Sequence, residues 1–470
     1  MRLPVVLALL LSGFAVHAAD TRIPDADLAI AKALRDRALA GSDAFEIVES
    51  LTTEVGHRMP GSENDARGVA WAIAKLQELG FDRVWTEPVT FPVWTRGEES
   101  ARVVVPREQP LAIAALGGSV GTPPEGVRGE IVHFEDFAAL QAASAEEVRG
   151  RIAYVGYRMQ RTRDGSGYGA AVGVRVAGAA VAGRLGAKAL LIRSVGTADS
   201  RFPHTGIMRY GDGITRIPAA AVSNADADLI ENLLRRGRVE VEIRLGARER
   251  GEYTSQNVIA EITGRERPEQ FALMGAHLDS WDLGTGAIDD GAGIGITFAA
   301  GRLILDLDQR PRRSIRVIAF AAEEIGLLGA RAYQAKHVDN VSNHLIGGES
   351  DFGGGRIYQL DAAVKPQARG AIDQMLTVLA PLGIEKGRED ASGGPDFGPM
   401  RRSGMAAIDL RQDGTAYFDY HHTADDTLDK LVPAELDQNV AAWAAVMWMA
   451  ANAEGDFGSG EPPLAPAELP

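Results

Sequence analysis

The 470-residue chain contains no cysteine. That absence excludes disulfide scaffolds, thiol catalysis and cysteine-ligated zinc, so any metal site must be built from His, Asp and Glu. Basic charge is also in deficit: 49 Lys and Arg face 64 Asp and Glu, for a formal net charge of −15. Nucleic-acid binding relies on clustered cations that neutralise phosphates, so no nucleic-acid partner is expected. Long apolar runs are missing as well. The run Leu3 to Leu11 falls short of the roughly 20 residues that a membrane-spanning helix needs. With Arg2 before it and the small residues Ala15, Ala18 and Ala19 after it, this segment reads as a signal peptide over residues 1–18. The expected product is exported, periplasmic or secreted, with no membrane span once the signal is removed.

What is present suffices for a substantial core. Hydrophobic residues make up 45% and charged residues 24% of a chain longer than one ordinary domain requires, so two domains are expected. From Asp43 to Gly80 apolar residues recur at helical spacing on two helices, separated by the turn at 56–62, and a β-like stretch covers 84–93. Residues 100–248 are rich in Gly and Ala, with strands predicted at 152–155 and 189–192, a helix at 174–185, an apolar run at 217–222 and a helix at 226–236. They read as an inserted small α/β or β-rich domain between two parts of a catalytic domain, 19–99 and 249–452. In the second part strands and helices alternate as in a mostly parallel sheet covered by helices: strands at 271–276, 315–322 and 344–348, helices at 291–307, 367–380 and 433–452. Residues 453–470, rich in Gly, Pro and acid, read as a disordered tail.

Five short motifs carry the chemistry-bearing side chains. They are Gly275-Ala276-His277-Leu278-Asp279, Gly286-Ala287-Ile288-Asp289-Asp290-Gly291, Ala321-Ala322-Glu323-Glu324, Glu349-Ser350-Asp351, and the run from His421-His422 to Thr427. Loops at the carboxyl ends of neighbouring parallel strands converge on one crevice, so motifs far apart in sequence meet there. A metal-bound imidazole usually gives its other N–H to a carboxylate or carbonyl, which suits Asp279 as the orienter of His277. Two successive carboxylates after an apolar strand are costly to bury without a cation or a shared proton. A divalent metal supplies that compensation, and one of Glu323 and Glu324 can bind it while the other moves a proton. His57, His133, His204, His337 and His344 lack such neighbours and read as structural or surface groups.

These motifs, with Gly394-Pro395-Asp396, resemble in residue type and order the co-catalytic zinc aminopeptidase and glutamate carboxypeptidase family, and within it the carboxypeptidase Q branch. The resemblance covers nearly all of the mature chain and ends near Asn452. It implies an α/β, phosphorylase-like zinc exopeptidase fold with a mostly parallel central sheet, a protease-associated-like insert at 100–248, two Zn²⁺ per chain and a homodimer. It implies that His277 and Asp351 hold one zinc, that Glu324 and His422 hold the other, and that Asp289 bridges them across a cis Asp289–Asp290 peptide. Glu323 matches the general base and Asp279 the imidazole-orienting carboxylate. His421 stands where a related branch has an oxyanion-stabilising Tyr, and is taken as a third catalytic candidate.

The implied chemistry is hydrolysis of short peptides by an activated water, with Glu323 taking the water's proton and returning it to the leaving amine. No Gly-x-Ser-x-Gly motif offers a serine mechanism. The first reading is a dipeptidase or aminopeptidase acting on substrates with a free N-terminus. The alternative is a carboxypeptidase acting on C-terminal residues, for which Arg401 and Arg402 could supply the α-carboxylate site. A one-zinc glutaminyl cyclase and a non-catalytic receptor-like homologue are weaker, since every ligand position is filled by a competent residue. The insert is expected to stand beside the active-site crevice and to limit substrate length.

Overall fold

Two eight-stranded sheets organise the chain; the computed structural model describes residues 20–460, so the signal peptide expected at 1–18 lies outside the described residues. The first sheet runs in the spatial order Arg83–Thr95, Arg248–Ile262, Arg313–Phe320, Arg267–His277, His344–Glu349, Ala407–Gln412, Ile357–Ala363, Glu385–Lys386. Its four middle strands are mutually parallel. Their near-continuous apolar sequences are those of strands covered on both faces. Successive side chains alternate between two cores: Ile315, Val317 and Ala319 pack with the helices Ala292–Leu305 and Pro433–Asn452, whereas Ile318 and Phe320 pack with Tyr333, Phe397 and Met400 on the other face. The helix Pro433–Asn452 has the predicted boundaries and buries Trp443 and Trp448 completely.

The second sheet draws only on strands between Glu99 and Leu245, in the order Gln109–Leu111, Glu99–Val105, Glu240–Leu245, Val127–Phe134, Ile152–Val155, Ala189–Arg193, Ala219–Val222, Ile113–Ala115. The strands predicted at 152–155 and 189–192 are its centre. The strands Glu99–Val105 and Glu240–Leu245 escaped notice because they interleave charged and apolar residues over short lengths. The helix expected at 174–185 begins already at Ser166, since burial of Gly167 and Ala171 outweighs the low helix propensity of a Gly-rich segment. The helix Asp25–Leu39 was not anticipated. Its apolar stripe consists of Ala31, Leu34 and Ala38 among charges, and it packs against Pro433–Asn452.

The disordered tail expected from 453 is corrected for residues 453–460. Phe457 is 1% exposed, Glu454 pairs with Arg22 as a β-bridge, and the Arg313 guanidinium donates to the carbonyls of Ala453 and Gly455. Composition suggested disorder, but buried backbone acceptors find donors here. No helix among the described residues is long and apolar enough to cross a membrane.

His344 and His337 are structural, as expected. His344 Nδ1–H donates to the Asn340 carbonyl at 3.0 Å, and Nε2 accepts from the Tyr333 hydroxyl at 3.0 Å. Burial lowers the His344 pKa to about 3. Because the unfolded chain titrates near 6.5 and the folded one near 3, this group's stabilisation is complete above about pH 6.5 and is lost as pH falls toward 3, by up to about 1.4 kcal/mol per pH unit. Denaturant unfolding of His344→Gln and the parent at several pH values should show the stability gap between them shrinking on acidification. A gap of constant size would contradict this.

Candidate metal centre

The carboxyl ends of Arg267–His277, Arg313–Phe320 and His344–Glu349 lie side by side at one edge of the first sheet. His277 ends the first strand, Glu323 and Glu324 follow the second, and Asp351 follows the third. Asp289 and Asp290 precede the helix Ala292–Leu305, and their peptide is cis, as the family pattern implies. The loop after Ala407–Gln412 brings in His421 and His422, the latter with φ +59°, a conformation that non-glycine residues seldom adopt.

Asp289 is the meeting point. Its Oδ1 lies 3.1 Å from His277 Nε2, and its Oδ2 lies 3.1 Å from His422 Nε2 and 3.4 Å from His421 Nε2. His277 Nε2 is 3.5 Å from Asp351 Oδ1, and His422 Nε2 is 2.9 Å from Glu324 Oε2. All eight sequence-predicted site residues therefore meet in one region. Among the described residues, three groups have potential ligand atoms within 4.8 Å of one another: His277, Asp289 and Glu324; His277, Asp290 and Asp351; and His204, His421 and His422. Glu323 belongs to none of them. Asp290 was not anticipated: it accepts from the amides of His277 at 3.2 Å and Gly293 at 3.0 Å. An acid just before an apolar helix was the available signal for that capping role.

The donor set fits a dinuclear zinc site. Glu324 Oε1 and Asp289 Oδ2 are buried without a hydrogen-bond partner, although imidazole nitrogens stand close by. Burial, with the charges of Asp351, Glu324 and Asp279, holds the Glu323 pKa well above the usual carboxylate range, and burial with the Asp351 charge raises Glu349 to about 8. Burial opposes protonation of His422, but the neighbouring Glu324 and Asp289 carboxylates outweigh it and raise its pKa to about 9. Such crowding of buried carboxylates against imidazoles is relieved by divalent cations, and a borderline ion such as zinc suits nitrogen and oxygen donors.

Several supports differ from expectation. His277 Nδ1–H donates to the Asp279 main-chain carbonyl at 2.9 Å, while the Asp279 carboxylate stands 3.9 Å away and accepts the amides of Glu323 and Glu324 at 3.0 and 3.2 Å. Asp279 thus orients the glutamate turn with its side chain and His277 with its backbone. Arg58, fully buried, donates to the carbonyls of Leu278, Thr285 and Gly286 and so fixes the loop that leads into Asp289. Asp426 accepts from Ile288 N at 2.6 Å and Asp289 N at 3.3 Å. His204, read as structural or surface, lies against the site, its ring stacked on His422 with centroids 5.1 Å apart. The 217 residues between them hid that contact from sequence reasoning.

Comparison with known proteins agrees with this geometry. The profile of peptidase family M28 matches residues 257–447. Carboxypeptidase Q of Xenopus laevis is 36% identical over 429 residues, covering 90% of this chain and 90% of that protein. A solved peptidase M28 precursor from Shewanella amazonensis superposes with a TM-score of 0.91 at 50% identity, covering 92% of this chain and 98% of that one. A zinc aminopeptidase from Bacillus subtilis shares the fold, with a TM-score of 0.61 at 19% identity over 86% of this chain and 93% of that one. With metal-ligand clusters suited to two zinc ions and relatives matched along nearly its whole length, the chain belongs to peptidase family M28 and is a zinc-dependent exopeptidase.

Proposed function

We propose that the protein removes C-terminal residues from short peptides, and that His277 and Asp351 would hold one zinc and Glu324 and His422 the other, with Asp289 shared between the two sites. The convergence of His277 and His422 on the two oxygens of Asp289 carries the ligand assignment. Zinc held there would supply Lewis acidity toward a water and the scissile carbonyl. Glu323, outside the ligand clusters and half-buried, takes the proton from the water and returns it to the leaving amine. Burial and the neighbouring His422 keep the His421 pKa well below its usual value, so its imidazole is neutral. It serves as a hydrogen-bond donor to the developing oxyanion.

Two of the cavities near the site bear on substrate polarity. One, of about 500 Å³, lies between the sheets, walled by Met59, Trp94, Trp281 and Ile325, with Arg209 at its edge. The Arg209 guanidinium makes no hydrogen bond or ion pair among the described residues, and it suits a substrate α-carboxylate. Arg401 and Arg402 line neither cavity. The carboxypeptidase reading also follows the name of the relatives at 36–38% identity. The reading through a free N-terminus, first in the sequence, rests on the second cavity. It holds about 140 Å³ and is bordered by Asp164 and Asp409, whose carboxyl groups could meet an ammonium group.

Residues 100–248, as a protease-associated-like insert, wall the larger cavity through Gly117, Ile207 and Arg209 and so limit substrate length. The phosphorylase-like reading of the first sheet rests on its parallel centre. Export to the periplasm or beyond rests on the signal-like residues 1–18, and a homodimer on the family resemblance. A panel of dipeptides, N-blocked dipeptides and C-amidated dipeptides decides polarity. The N-blocked substrates should be hydrolysed and the C-amidated ones should not; the reverse pattern would establish the free-N-terminus reading.

A further inference from the structure

We propose that Arg175 and His204, both from the segment that builds the second sheet, are positioning residues for the metal pair and hold the His421–His422 segment in ligand geometry. The inference rests on the ligand assignment above. His422, with its left-handed backbone, needs surroundings that over-determine it. The second-sheet segment supplies them. Thr205 N donates to the His422 carbonyl at 2.9 Å, and His422 Nδ1–H donates to the Thr205 carbonyl at 3.2 Å, which leaves Nε2 for the metal. His204 Nδ1–H donates to the His421 carbonyl at 3.3 Å. In the neutral ring that bond leaves Nε2 as the acceptor, and Arg175 Nη1 donates to it at 3.0 Å. A guanidinium can only donate, so Arg175 fixes the His204 tautomer.

Arg175 is an unusual residue to find there. It is 5% exposed, among the described residues it has no carboxylate partner, and its Nε is unpartnered. Burying a cation without a carboxylate partner is costly, and this one directs a donor at the His204 ring. Its guanidinium stands 5.4 Å from the Tyr168 ring centroid, and that ring meets His421 edge-on at 5.4 Å. The approach is shaped for it: Gly206 has φ +137°, and a Cβ there would come within 2.4 Å of Arg175 Nη1. One strap, 204–206, thus reads the ring and the backbone of the last ligand together.

The test compares Arg175→Met, Arg175→Lys and His204→Asn with the parent by competitive zinc titration, with kcat on a short peptide and metal-free melting as companions. In Arg175→Met one of the two zinc affinities should fall by about 10- to 100-fold, as loss of a supporting partner does, while the other stays unchanged. The kcat should fall with it and recover partly in excess zinc, and Arg175→Lys, which keeps a donor and the charge, should restore most of the affinity. His204→Asn keeps a donor toward the His421 carbonyl, but its shorter side chain places no acceptor where Nε2 meets Arg175, so it should lose affinity at one site and decides the matter if Arg175→Met does not fold. Parent-like affinity for both ions in Arg175→Met or His204→Asn overturns the proposal. A parent protein that binds no zinc would instead refute the ligand assignment, so the two failures are distinguishable.

Discussion

Glu323→Gln is expected to retain both zinc ions and the parent fold while kcat falls by about 10² to 10⁴, the range attributed to general acid–base catalysis, with little change in KM. The substitution keeps the shape of the side chain and removes only its capacity to accept a proton. Glu323 stands outside the ligand clusters, and its amide is held at 3.0 Å by Asp279 Oδ1, which aims the turn without engaging the side chain. Steady-state kinetics with metal analysis of the same sample check it. Zinc depletion in this variant, with full loading of Glu324→Gln, would mean that the two glutamates exchange roles.

Glu324→Gln should lose zinc from one site, with a fall in affinity larger than the roughly 10- to 100-fold of a lost supporting partner. Glu324 Oε2 lies 2.9 Å from His422 Nε2, and its other oxygen is buried without a hydrogen-bond partner. An amide can present an oxygen there but not the charge that compensates a dication. Activity should collapse at stoichiometric zinc and return in part with excess. The adjacent pair does not owe its division of labour to an extended strand. Ala322 has φ +55°, and Gly326 N and Leu327 N close a turn onto the Glu323 carbonyl, so the two side chains part on a turn gripped by Asp279.

The parts of the site legible in the sequence are those where chemistry and strand order coincide. His277, Glu324 and Asp351 each follow an apolar parallel strand, and parallel neighbours must deliver their carboxyl ends to one edge. The strands themselves were readable because a doubly covered strand is apolar throughout. Illegible were the contacts made across hundreds of residues by ordinary side chains. Arg58 reaches the loop at 278–286, and Arg175 and His204 reach 421–422, yet none has a local pattern that separates it from a surface group. At Asp279 the main-chain carbonyl stands nearer the His277 imidazole than the carboxylate does, and spacing along a chain does not tell which of the two an imidazole meets. The anchoring of Ala453 and Gly455 likewise involves Arg313, which no composition rule connects to a Gly-rich terminus.

Zinc titration of the metal-free protein, followed through hydrolysis of a short peptide, tests the dinuclear centre most directly. Activity should rise with added zinc and level off at two equivalents per chain, with both ions removable by a chelator and restorable. A plateau at one equivalent, or hydrolysis that is indifferent to zinc, would contradict a site in which Asp289 joins two metals.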